Sequence, residues 1–182
     1  MKIIFIGFMG AGKSFFSKRF AEHLGLERVE TDELAIKKSG RASIKEIFEK
    51  DGEIRFRELE IETAKELQEK DNVVIDTGGG VVLNKIILDY LRKDGVVIFL
   101  KSSLPAIEER FKDDEARPLW KDKEKFRQFY ELRLPLYQQY ADVEVDTSSP
   151  ILFSPDGKSQ EMTKGAEKIL EEIIKKIKAI NF

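Results

Sequence analysis

The chain has 182 residues, 41% of them apolar and 36% charged, with a net charge of −2 and no cysteine. That length suits one domain with an adequate core, and the near-balanced charge gives no electrostatic footprint for nucleic acid or an anionic membrane. The missing cysteine excludes a disulfide framework, a thiol nucleophile and a zinc–thiolate site.

Short apolar runs alternate with longer amphipathic ones. "KIIFI" (2–6) has the length and continuous apolar character of a strand covered on both faces. It leads directly into "GFMGAGKS" (7–14), which matches the phosphate-loop pattern G-x-x-x-x-G-K-[ST]. Gly7, Gly10 and Gly12 permit a tight turn whose backbone N–H groups point inward at anionic oxygens. A helix over 13–24 adds its positive dipole end. Lys13 can reach the outer phosphates, and Ser14 can offer its hydroxyl to Mg²⁺. The same N-terminal run has features of a short signal peptide, but cleavage there would remove the phosphate loop. No other run approaches the ~20 apolar residues of a membrane span, so a cytoplasmic chain is expected.

"ERVE" (27–30) reads as the second strand and is followed by Glu30-Thr31-Asp32. At the carboxyl end of a parallel strand this acidic pair faces the ligand crevice. One carboxylate there can hold a hydrated Mg²⁺ and the other can take a hydroxyl proton. Equally, Asp32 can cap a helix over 32–39 and Glu30 can be a solvated strand end. Helices follow at 43–50 and 53–70, the first opened by a capping box at Ser43 to Glu46 and ended by Gly52.

The third strand, "NVVID" (72–76), runs into "DTGGG" (76–80). Asp76 resembles the strand-end acid of many phosphate-loop proteins. Gly78, Gly79 and Gly80 put no side chain in the way, so a substrate can lie on the backbone. A helix at 84–93, the strand "GVVIFL" (95–100) and a helix at 104–112 come next. The charged segment 112–125 carries Pro118 and reads as a functional cover or mobile surface. A helix at 123–140, the strand "VEVD" (143–146), a loop at 147–160 and a helix at 161–179 complete the chain. Strands alternating with helices predict an α/β doubly wound parallel sheet in a single domain, 1–182.

A phosphate cradle does not say where the phosphoryl group goes. "FRELE" supplies Arg57 and Glu60 on one helix face, "ARPL" supplies Arg117, and "LRLPLY" supplies Arg133. Each alone is an ordinary surface arginine. Together with the three glycines they suit an acidic metabolite, because a guanidinium fork matches a carboxylate bidentately.

The ordered set of GFMGAGKS, GE-x-x-FR-x-x-E, GGG, RPL and R-x-PLY resembles the shikimate kinase family, and the likeness runs from residue 1 to about residue 147. It implies a nucleoside-monophosphate-kinase-like, three-layer fold around five parallel strands. It also implies ATP- and Mg²⁺-dependent phosphorylation of the 3-hydroxyl of shikimate to shikimate 3-phosphate, a step towards chorismate and the aromatic amino acids.

Carried over residue by residue, the resemblance makes Lys13, Asp32 and Arg117 the catalytic set, with Asp32 the base. ATP would meet Gly10, Ala11, Gly12, Lys13, Ser14 and Phe15 at its phosphates, with Arg110 over the adenine and Arg117 delivered by a mobile lid at 112–125. Shikimate would meet Asp32, Arg57, Glu60, Gly78, Gly79, Gly80 and Arg133, its carboxylate gripped by Arg57 and Arg133. The helical region 33–60 would bind it. Ser14 would bind the metal, and Glu30 would do so through water. Expected partners are shikimate and ATP, with no nucleic acid or membrane and a monomeric chain.

Three departures stand out. Glu30 occupies the place where the family usually has Asp, Phe15 replaces a small residue, and the segment after residue 147 is long, with Pro150 or Pro155 available to adenine. Two other readings fit parts of the pattern. One is a gluconate or nucleotide kinase of the same fold. The other is a nucleotide-binding regulatory module without phosphoryl transfer.

Overall fold

Every side chain of β1 (Lys2–Ile6) is buried, which a strand achieves when helices cover both faces of its sheet. The computed structural model describes residues 1–111, 122–149 and 162–180. Its other strands are β2 (Glu27–Glu30), β3 (Val73–Asp76), β4 (Gly95–Lys101) and β5 (Val143–Asp146). All pairings are parallel, and the order is β2-β3-β1-β4-β5. The expected five-stranded parallel sheet is therefore present, with β1 at its centre.

The described helices are α1 (Lys13–Leu24), α2 (Thr31–Ser39), α3 (Ile44–Lys50), α4 (Gly52–Gln68), α5 (Lys85–Leu91), α6 (Leu104–Phe111), α7 (Lys123–Tyr140) and α8 (Lys164–Lys178). Successive side chains of a strand point to opposite faces, and the core divides accordingly. Ile4 and Ile6 join Leu88 of α5, Phe99 and Tyr137 of α7 on one face. Ile3 and Phe5 join Phe16 and Phe20 of α1 and Ile169 and Ile173 of α8 on the other. Full burial of each such side chain is worth about 1.5–3 kcal/mol. The sheet is thus the middle of three layers. A separate small core of Ala35, Ile47, Phe56 and Leu59 ties α2, α3 and α4 together.

Local chemistry sets several boundaries. The strand expected from residue 72 begins at Val73 because Asn72 adopts a left-handed φ of 53°. Ser43 caps α3 by accepting from the Glu46 N–H at 3.1 Å, while Glu46 accepts from the Ala42 N–H at 2.8 Å. Gly52, with φ 84°, ends α3 as expected and at once opens α4. Residues 123–125, expected within the lid, are the first turn of α7, capped by Asp122 accepting from the Lys125 N–H. An apolar crevice of about 210 Å³ lies between α1 and α8, lined by Met1, Phe20, Leu24, Ile174 and Ile177. Met1 precedes the amino end of β1, so this crevice is remote from the carboxyl ends of the strands, where ligands bind in such sheets.

Candidate active site

The loop leaving the carboxyl end of β1 turns sharply back into α1. Gly10 has φ 80°, and a Cβ there would come within 2.7 Å of the Phe111 ring, so only glycine fits. The Ala11 N–H closes the turn on the Phe8 carbonyl at 3.1 Å. Gly12 occupies the N-cap of α1 with no side-chain cap, leaving the first N–H groups of the helix for an anion. Lys13 is buried and its ammonium donates to the Phe8 carbonyl at 3.2 Å. Ser14 follows in the exposed first turn and Phe15 beside it is half-buried. The Arg19 guanidinium lies 3.5 Å from the centre of the Phe15 ring.

Three successive glycines run along this loop. A Cβ on Gly79 would lie 3.4 Å from the Met9 nitrogen and 3.6 Å from the Gly7 carbonyl, so the glycine segment abuts the phosphate loop. At Gly78 the same addition would fall 2.7 Å from Asp32 Oδ1. The Asp32 carboxylate therefore occupies the space that a larger residue 78 would take. Thr31 Oγ1 accepts from the Gly78 N–H at 3.2 Å and fixes the two segments together. Asp32 lies inside the first turn of α2, whose N-cap position is Glu30, so it does not cap that helix. Burial holds the Asp32 carboxyl above its ordinary range, Lys13 opposes this, and Asp76 and Glu30 reinforce it.

The cations line the other side. From α4, Arg57 Nη1 donates to Glu60 at 2.7 Å and Nη2 to Glu53 at 3.1 Å. Nη1 lies 3.6 Å from where a Cβ on Gly80 would be. Glu60 is nearly buried, which pushes its carboxyl up against the pull of Arg57; Asp32 and Arg133 act on it as well. From α7, Arg133 Nη1 donates to the Gly79 carbonyl at 3.4 Å, and its guanidinium lies near the rings of Phe129 and Phe8. Asp32, Arg57, Glu60 and Arg133 thus surround Gly78–Gly80 from three helices.

Two residues not singled out in the sequence complete the picture. Tyr137, one turn after Arg133, donates its hydroxyl to the same Gly79 carbonyl at 2.5 Å while its ring stacks on Phe99 at 5.1 Å. Arg28 donates from Nη1 to Glu30 at 2.5 Å, from Nη2 to Asp76 at 2.6 Å and from Nε to Ser17 Oγ at 2.9 Å. Glu30 is therefore no solvated strand end. It lies beside Asp76 in the parallel register, joined to it by Arg28.

Arg110 donates to the Gly10 carbonyl at 2.6 Å, Ser102 Oγ at 3.0 Å and the carbonyls of Thr147 and Ser149. These bonds use the edges of the guanidinium plane, whereas stacking on a base uses its face, so the two uses are compatible. Burial lowers its pKa to about 10, which leaves it cationic at neutral pH. Arg117 and the alternatives Pro150 and Pro155 lie outside the described residues.

The family model described as "Shikimate kinase" matches residues 9–178. A protein named shikimate kinase from Caldicellulosiruptor bescii is 42% identical over 148 residues, covering 80% of this chain and 85% of the relative. A shikimate kinase structure from Aquifex aeolicus superposes with a TM-score of 0.79 at 34% identity, covering 98% of this chain and 97% of that one. A shikimate kinase structure from Acinetobacter baumannii in complex with shikimate gives 0.81 at 29% identity, covering 98% and 93%.

Proposed function

This chain belongs to the shikimate kinase family, and from that premise we propose how its own residues carry out the reaction. The reaction is transfer of the terminal phosphoryl group of ATP to the 3-hydroxyl of shikimate. The carrying observation is one juxtaposition. An acid (Asp32) and two arginines (Arg57 and Arg133) converge on Gly78–Gly80, and those glycines abut the phosphate loop.

In this reading the backbone from Gly10 to Phe15, with the uncapped end of α1, receives the phosphates, and Lys13 neutralises their charge. Arg57 and Arg133 grip the acceptor carboxylate, Glu60 orients Arg57, and Gly78–Gly80 allow the ring to lie close to the backbone. Asp32 orients the attacking hydroxyl and takes its proton; the proton need not leave early in a loose transition state. Arg110 serves the adenine, and Arg117 supplies positive charge to the transferring group. Loss of such an arginine costs on the order of 10³-fold or more in rate.

The donor set also suits Mg²⁺. Asp76 is buried with Oδ1 unpartnered, and Glu30 and Ser14 bring further oxygens, the hard donors this ion prefers. Ser14 would hold it directly and Glu30 through water. Bound there, it would neutralise charge on the phosphates. No helix among the described residues is long and apolar enough to cross a membrane, and a monomeric cytoplasmic enzyme without nucleic-acid partners completes the proposal.

Shikimate methyl ester tests it. The ester keeps the hydroxyls and loses the charge, so it should be a poor acceptor for the native enzyme. The discrimination should shrink in Arg57→Ala and largely vanish only when Arg133 is replaced as well. An ester used as well as the acid by the native enzyme would contradict the carboxylate grip.

A further inference from the structure

Glu30 and Asp76 are direct Cα partners at the carboxyl ends of β2 and β3. Like charges so placed on neighbouring strands repel. Arg28 answers this from two residues upstream on β2, the same strand face as Glu30. Its three donor edges reach three elements: Glu30 on β2, Asp76 on β3 and Ser17 on α1. Ser17 accepts from Arg28 and donates its own proton to the Ser14 carbonyl at 3.4 Å, so the network extends to the first turn of α1.

The cluster is not complete as a metal site. Among the described residues no three His, Cys, Asp or Glu side chains converge on a point that could hold an ion. Asp76 is 4% exposed, and its Oδ1 has no hydrogen-bond partner. Counting nearby charges, Glu30, Asp32 and Asp76 are negative and Lys13 and Arg28 positive. Among the described residues only Arg28 is ion-paired to both strand-end carboxylates.

We propose that Arg28 is a positioning residue that acts as a resident counter-ion. It holds Glu30 and Asp76 in place and satisfies their charge before substrate arrives, so that the divalent cation enters with the nucleotide and not ahead of it. Phosphate oxygens then complete an ion shell that the protein alone does not supply. The inference rests on the reading that the ends of β2 and β3 face the metal of bound ATP.

Mn²⁺ substituted for Mg²⁺ tests this, with free ion followed by its electron paramagnetic resonance signal. Native enzyme without nucleotide should leave Mn²⁺ free, and should bind one ion when a non-hydrolysable ATP analogue is added. Arg28→Met should bind Mn²⁺ without nucleotide about 10-fold or more tightly than native enzyme, because a nearby unit charge has been removed. Adding Asp76→Asn to that variant should abolish the gain. Arg28→Lys keeps the charge but not the fork, and should fall between native enzyme and Arg28→Met.

Nucleotide-free Mn²⁺ binding by native enzyme equal to that of Arg28→Met would overturn the proposal. So would an Arg28→Lys enzyme that binds nucleotide-free Mn²⁺ as tightly as Arg28→Met, since it keeps the charge. The native measurement stands even where Arg28→Met does not fold. If native enzyme with the analogue bound no Mn²⁺, the reading of the metal position itself would fail, an outcome distinct from failure of the Arg28 role alone.

Discussion

The Asp32 carboxylate and Gly78 share one small volume: a Cβ on residue 78 would start 2.7 Å from Asp32 Oδ1. The glycine is thus a condition for the acid's position as well as for a close-lying substrate. Gly78→Ala should displace Asp32 and lower kcat by roughly 100-fold, the scale of a misplacement of about 1 Å. ATP affinity should be nearly unchanged, since the phosphate loop is untouched. Steady-state kinetics beside ATP titration check this; unchanged turnover would contradict it.

Asp32 carries a pH prediction with two opposite signs. Burial holds its folded-state pKa above the ordinary value. As pH falls, the folded chain therefore takes up this proton before the unfolded chain does. Its effect on stability is a cost that sets in as pH rises through the folded pKa. Activity should run the other way under the proposed role of Asp32 as base, since only the carboxylate can accept the hydroxyl proton. Asp32→Asn should lose turnover and gain thermal stability at neutral pH, with the gain shrinking in acid. Melting temperatures across pH measure it, and an Asp32→Asn protein less stable throughout would refute it.

Tyr137 and Arg133 share the Gly79 carbonyl. In Tyr137→Phe the stacked ring remains against Phe99 while the shorter bond is lost. The expected cost is about 1 kcal/mol of stability, with a several-fold rise in the KM for shikimate and little change in that for ATP. A larger effect on ATP than on shikimate would place Tyr137 in a different role.

Arg110 joins the phosphate-loop Gly10 to Thr147 and Ser149 beyond β5. Arg110→Met should weaken ATP binding by roughly 10-fold or more, as expected for lost hydrogen bonds from a charged group, and spare shikimate binding. Placed over adenine, Arg110 stacks on the base, so the variant should also lose more affinity for ATP than for inorganic tripolyphosphate, which has no base. Equal losses for both would leave only the bracing role.

The elements were legible because each strand of the buried sheet is a short β-rich run and each helix has its own stop or start. The phosphate loop was legible because its residues are contiguous. Arg28 was not, although its alternation with Glu30 in "ERVE" places both on one strand face. Its meaning depends on Asp76 lying beside Glu30, which follows from strand order and register across 45 intervening positions. Tyr137 could have been found, since a residue four after Arg133 shares its helix face. The even choice at Asp32 between helix cap and site acid could not be made locally. The N-cap falls two residues earlier than the sequence suggests, and the carboxylate is directed by a glycine 46 residues away.

The most direct test of the account is ADP formation from ATP and Mg²⁺ by the purified protein, with shikimate, gluconate, a nucleoside monophosphate or no acceptor. Shikimate should stimulate ADP formation strongly, and gluconate and the nucleoside monophosphate should not. Stimulation by gluconate or the nucleotide in place of shikimate, or ATP binding with no acceptor-dependent turnover, would contradict it.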